Sequence, residues 1–178
     1  MVTGRMETLS SQDIAEIQRI PVTYAFLTDT GRCTDCAELF AEDGETSGFV
    51  PGKTSVGKAA IRKSFWSRER QTKLRSLHVI SPVHVYSDGT DQTRAKGAAY
   101  FQIFRNPASP NFDSTVDDPH KAPPDPMHGG GPAFVGMYLF TAKKQGARWL
   151  LTSWHFSPMF IPGNHCTDAA SDSSKSRL

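Results

Sequence analysis

The feature that most constrains this chain is a change of hydrophobic period partway along it. Through Phe65 the apolar residues recur every three or four positions, the spacing of one helix face; from Leu77 onward they alternate, the spacing of one sheet face. Helices grouped first and strands grouped afterwards do not suit alternating parallel units. The pattern points to an α+β domain whose N-terminal helices cover one face of an antiparallel sheet. At 178 residues the chain is long enough for one such domain with a real core and short for two.

Ser10-Ser-Gln-Asp13 reads as a capping box ahead of Ile14, Ile17 and Ile20, opening a first helix that closes at Asp29. Pro21 is expected to kink or divide it. After Thr30-Gly31 a short second helix runs to about Ala41, Glu42-Asp43-Gly44 is a turn, and Glu45 to Val50 is a strand. A third helix begins near Val56, with Ala60, Ile61, Ser64 and Phe65 at core spacing. Leu77 to Tyr86 reads as one strand and Thr93 to Arg105 as the longest. One face of the latter carries Ala95, Gly97, Ala99, Phe101 and Ile103, and the opposite face carries Arg94 and Lys96. Small residues giving way to an aromatic suit the wall of a pocket. Residues 106–132 hold seven prolines, a glycine triplet and four aspartates, which marks a long loop and a possible lid. Phe134 to Lys143 and Arg148 to Met159 form a closing hairpin about Lys144-Gln-Gly146. Residues 1–9 read as a flexible leader, 10–162 as the domain and 163–178 as a disordered tail.

A balance of 20 basic against 18 acidic residues gives a net charge of +2, which demands no nucleic acid. The stretch Arg62 to Arg75, with Lys63, Arg68, Arg70 and Lys73, reads as a solvated helix face. No apolar run approaches the ~20 residues of a membrane span, and no secretory signal is visible, so a soluble cytoplasmic protein is expected. The terminal Ser176-Arg177-Leu178 is a variant of the Ser-Lys-Leu peroxisomal address. Cys33-Thr-Asp-Cys36 has the spelling of a redox or metal motif, yet Cys33, Cys36, Ala37 and Phe40 also fall at i, i+3, i+4, i+7, the spacing of a buried stripe. The stripe is the better reading, since no second C-x-x-C exists. No metal-ligand spacing, phosphate loop or nucleophile elbow appears, so neither metal nor cofactor is expected.

Asp29 closes the first helix and His78 opens a strand. A carboxylate that holds an imidazole in one tautomer is the minimal apparatus for taking a proton from carbon. From the residues alone, the commoner reading is that Asp29 is an exposed helix end and His78 an ordinary strand residue, since any chain this size has some Asp and some His. Phe49, Trp66, Phe101, Met137 and Trp154 are candidates to shape an aromatic cavity, though core packing is the more frequent role for each. His84 sits at a strand end, His120 and His128 in the loop and His165 in the tail.

The helix ending in Asp29, the segment Asp35-Cys-Ala-Glu-Leu-Phe-Ala-Glu-Asp43, the run Val56-Gly-Lys-Ala-Ala-Ile-Arg62 and the hairpin Lys144-Gln-Gly-Ala-Arg-Trp-Leu-Leu-Thr-Ser153 occur in an order that resembles the SnoaL-like branch of the NTF2-like superfamily. The resemblance spans about residues 10 to 160. It implies a cone of helices on a strongly curved antiparallel sheet enclosing an apolar pocket. It also implies a cofactor-independent lyase, cyclase or isomerase acting on a cyclic, carbonyl-bearing molecule of polyketide or other secondary metabolism. Scytalone dehydratases, dehydrochlorinases of chlorinated cyclohexanes and polyketide cyclases are the most similar members. In the first two, an Asp at a helix end orients a His at a strand start, and Asp29 and His78 occupy those places.

Tyr24, Tyr100, Tyr138 and His155 are candidates to polarise a carbonyl. Tyr24, Phe49, Trp66, Phe101, Met137, Tyr138, Trp154 and His155 are the expected substrate-binding set, with Asp29 and His78 catalytic. Where the dehydrochlorinases place an arginine for chloride, this chain has Ser157, which disfavours halide loss. The superfamily leaves two alternatives: a non-catalytic binding or assembly module, and the small subunit of a ring-hydroxylating oxygenase. A homodimer or homotrimer is expected.

Overall fold

A computed structural model of the chain describes residues 9–70, 74–89, 91–107 and 131–160. The leader, most of the 106–132 loop with His120 and His128, and the tail with His165 and Ser176-Arg177-Leu178 lie outside the described residues.

Helix α1 (Ser11–Asp29) starts where its cap dictates: Ser10 accepts the Asp13 N–H at 3.1 Å. Pro21, expected to kink or divide α1, lies inside a continuous helix, held in the core with Ile17, Ile20, Tyr24 and Leu27. The helix ends in a Schellman motif. Arg32 N–H reaches Leu27 C=O at 2.8 Å and Gly31 N–H reaches Thr28 C=O at 3.4 Å. Gly31 supplies the φ of 79° that this ending requires. A 3₁₀ turn over Cys33–Leu39 stands where an α-helix was expected, because the chain passes directly into β1 (Phe40–Ser47). Cys33, Cys36, Ala37 and Phe40 are all buried. Glu42-Asp43-Gly44, expected as a turn, is strand instead, and the β1 register is irregular between Phe40 and Glu45.

Strand β2 (Thr54–Val56) and helix α2 (Lys58–Glu69) follow. Ile61 and Phe65 are buried on α2, while Ala60 and Ser64 stay exposed, so its core stripe is narrower than the spacing implied. The single strand expected from Leu77 to Tyr86 is two, β3 (Leu74–Ile80) and β4 (His84–Asp88), split at Ser81-Pro82-Val83 because proline cannot donate to a ladder. β5 (Asp91–Pro107), β6 (Phe134–Gln145) and β7 (Arg148–Phe160) complete a sheet of order β2-β1-β7-β6-β5-β3, with β4 also on β5. The sheet is mixed rather than wholly antiparallel, since β1 pairs with β7 in parallel.

Ala95, Gly97, Ala99, Phe101 and Ile103 all face inward on β5. Their smallness makes room for aromatics: a Cβ on Gly97 would lie 2.1 Å from the Phe140 ring. On β7 the parity changes. Ala142 pairs with Leu151 and Thr141 with Ser153, so Thr152 is an extra residue. Trp149 and Leu151 are therefore buried before it, and Trp154 and Phe156 after it. The outer face leaves Leu77, Val79, Tyr100 and Leu139 exposed.

Asp13 ties α1 to the β6–β7 hairpin. Its Oδ1 accepts Lys144 Nζ and Trp149 Nε1, each at 2.7 Å, and Glu16 accepts the Trp149 backbone N–H at 3.0 Å. The Lys144 ammonium, then Ser10 and Trp149, hold the Asp13 carboxyl far below the usual carboxylate range. A depressed folded-state pKa stabilises above the unfolded carboxyl pKa, and that stabilisation is lost as pH falls through the folded value. Asp13→Ala is expected to cost about 1–2 kcal/mol at neutral pH by urea unfolding. The difference from the unaltered chain narrows as the pH is lowered below the ordinary carboxyl range.

Candidate active site

Asp29 is the last residue of α1, where the negative end of the helix dipole disfavours a carboxylate. Its compensation comes from one residue of β3. Oδ2 accepts the His78 backbone N–H at 2.7 Å, and Oδ1 accepts the ring Nδ1–H at 2.6 Å. Alternation on β3 exposes Leu77 and Val79 and turns His78 inward, its side chain 3% exposed against 17% for Asp29. With Nδ1–H committed to a carboxylate, the neutral ring keeps its lone pair on Nε2.

His78 lines a cavity of about 340 Å³. The walls come from every layer of the fold: Tyr24 and Thr28 of α1, Phe65 and Arg68 of α2, Ile103 and Arg105 of β5, Tyr138 of β6 and Phe156 of β7. Tyr24 meets the His78 ring edge-on at 6.0 Å and packs 5.6 Å from Tyr138. Tyr138 is fully buried, and its hydroxyl has no hydrogen-bond partner among the described residues. Burial pushes both phenols well above their ordinary pKa, so both remain O–H donors. Burial likewise pushes the Cys33 thiol up to about 11, which leaves it protonated and unreactive at neutral pH. Among the described residues no group of three His, Cys, Asp or Glu side chains could hold a metal ion.

Of the expected binding set, Tyr24, Phe49 and Tyr138 line the cavity. Phe101 and Trp154 stand behind that wall, 4.4 and 4.5 Å from the Tyr138 ring. Trp66 is exposed on α2 under the Arg70 guanidinium, 4.7 Å from the ring centroid. Met137 pairs with Tyr100 and Ser157 on the outward side of the sheet. His155 is exposed and bonds Ser47 Oγ at 2.9 Å through Nδ1. The parity change at Thr152 is the reason: without it His155 would share the inward face of Trp149 and Leu151. The apolar spacing Trp149, Leu151, Trp154, Phe156 carried that signal. Two wall residues outside the expected set are cations. Arg68 continues the stripe Ile61, Phe65 at i+7, and Arg105 continues the alternation that ends at Ile103.

The family model for the SnoaL-like domain matches residues 10–155. The fold is similar to a candidate scytalone dehydratase from Novosphingobium aromaticivorans, with TM-score 0.63 and 16% identity, over 84% of this chain and 85% of that one. It is similar to an NTF2-like protein with a cystatin-like fold from the same organism, with TM-score 0.62 and 21% identity, over 89% and 88% of the two chains. ActVI-ORFA from Streptomyces coelicolor gives TM-score 0.59 and 16% identity, over 82% of this chain and 96% of that one. No curated protein matches the chain at the level of sequence.

The Asp29–His78 contact predicts energetic coupling. In a double-mutant cycle of Asp29→Ala and His78→Ala, urea unfolding is expected to give an interaction energy of about 1–3 kcal/mol, because either single change leaves a buried partner unpaired. Strict additivity would mean that the two side chains do not hold each other.

Proposed function

The chain belongs to the SnoaL-like domain family, and on that footing we propose that it is a cofactor-independent lyase, cyclase or isomerase. Its substrate on this reading is a cyclic, carbonyl-bearing small molecule. The observation that carries the proposal is the double acceptance by Asp29 of the His78 backbone and ring N–H groups, which leaves Nε2 as the free basic atom of a cavity-lining residue.

In this mechanism the substrate ring lies against Tyr24 and Tyr138, and Nε2 takes a proton from the carbon next to the carbonyl. The C–H electron pair moves into the ring to form an enolate, while the imidazolium rests against the Asp29 carboxylate. The Tyr138 hydroxyl, buried without a partner among the described residues, donates to the developing oxyanion. General-base catalysis of this kind is worth roughly 10²–10⁴-fold, and one positioned donor about 10²–10³-fold. Expulsion of a β-hydroxyl as water completes a dehydration, attack on a second carbonyl a cyclisation, and reprotonation elsewhere an isomerisation. The name of the Novosphingobium aromaticivorans neighbour favours dehydration.

The test uses a metabolite extract in deuterated water, incubated with each protein and compared by mass spectrometry. The unaltered chain should consume one compound and form a product lighter by one water, or a product of unchanged composition carrying deuterium. His78→Ala should lower turnover by about 10²-fold or more and Tyr138→Phe by about 10²–10³-fold, both with native circular dichroism. A folded His78→Ala protein with full activity would end this mechanism.

A further inference from the structure

We propose that the cavity selects an anionic substrate: a ring compound whose carboxylate sits between Arg68 and Arg105. The assignment takes the cavity as the substrate site and so rests on the reading above. Both arginines line the cavity that His78 and Tyr138 line, one from α2 and one from β5, and among the described residues no lining residue is acidic.

Several other cations of the fold have carboxylate partners. Lys58 and Arg62 pair with Glu38, Arg32 with Asp35, Lys143 with Asp43 and Lys144 with Asp13. Arg68 Nη2 donates to the neutral Ser76 hydroxyl at 3.2 Å, and the Arg105 guanidinium lies 4.9 Å from the centroid of Phe134. Neither faces a carboxylate among the described residues. The nearby acids are committed elsewhere: Asp29 to His78, and Glu69 to the Thr34 N–H at 2.7 Å.

Two like charges on one cavity wall repel each other, and nothing described here offsets that cost. Burial and the charge of Arg68 together lower the pKa of Arg105, the expected sign for a cation lacking its counter-ion. An anion bridging the two guanidiniums relieves both effects. The planar donor fork of arginine matches a carboxylate in particular. Arg105 keeps part of its side chain in solvent, which sets the carboxylate at the cavity mouth and the ring deeper, against Tyr24, Tyr138 and His78. The arginines then orient the substrate so that its reacting C–H is presented to Nε2, and their field draws acids to the mouth.

Calorimetric titration of the full chain with 2-naphthoate, its neutral isostere 2-naphthamide and 2-naphthyl phosphate tests this. Naphthoate is expected to bind about tenfold or more tightly than the amide. Arg68→Gln and Arg105→Gln should each reduce the preference, and the double variant should abolish it while the affinity for naphthamide, which reports an intact cavity, stays unchanged. His78→Ala should keep the preference, so loss of the proton-abstraction reading and loss of this one are distinguishable. Equal affinity for acid and amide, no binding of either, or a preference that survives in the double variant overturns the proposal. Tighter binding of the phosphate by about tenfold overturns the choice of carboxylate.

Discussion

A single carboxylate at the end of α1 accepts both the backbone and the ring N–H of one residue on β3. That contact fixes where the helix layer meets the sheet and which way an imidazole points. It also reverses a local preference, because a helix C-terminus does not favour an acid. Sequences tend to break such local rules at functional sites, where a particular geometry outweighs stability. The Schellman ending makes the placement possible: Gly31 stops the helix at Thr30, so Asp29 stands in the last turn rather than in a mobile loop.

Around this contact the cavity divides its chemistry by depth. Tyr24, Tyr138 and Trp154 form one aromatic mass, with Tyr24 5.0 Å from Trp154 and Tyr138 4.5 Å from it. Tyr24 and Tyr138 line the cavity with Trp154 backing them, and the mass holds one buried hydroxyl with no partner among the described residues. On the proposed mechanism His78 supplies the base and Asp29 its counter-charge. Arg68 and Arg105 bring positive charge from two different elements to the same cavity. On the proposed reading the general base is thus dry and aligned, while charge recognition is kept where water can still reach it. Dispersing the two tasks lets the low-dielectric part of the site strengthen the interactions that develop in the transition state.

Much of this was legible in the residues. The cap at Ser10, the helix end at Asp29 and the inward face of β5 follow from period and capping chemistry alone, and the fold resembles the family that the order of motifs implied. Three features were hidden because they depend on tertiary context. The turn expected at Glu42-Asp43-Gly44 is replaced by an irregular stretch of β1 between its β7 pairings at Phe40 and Glu45. The bulge at Thr152 inverts the faces of β7, which places His155 outside and Trp154 inside. Pro82 divides a run that alternation alone presents as one strand. The arginines are different: their positions extend two apolar stripes that were visible, yet the basic stretch holding Arg68 read as a solvated face. A cation in register with a buried stripe is a signal of its own, since burial of its stem is ordinary and burial without an acid is not.

The central claim is that Asp29 fixes the tautomer of His78 and so leaves Nε2 free to take a proton from carbon. Nitrogen-15 NMR of the histidine side chains, read at a pH where the ring is neutral, tests it most directly. The account predicts a proton on Nδ1 of His78, hydrogen-bonded and slow to exchange, and an unprotonated Nε2; in Asp29→Ala the ring should become a mixture of tautomers. A proton on Nε2 in the unaltered chain would contradict it, because no basic atom would then remain to start the reaction.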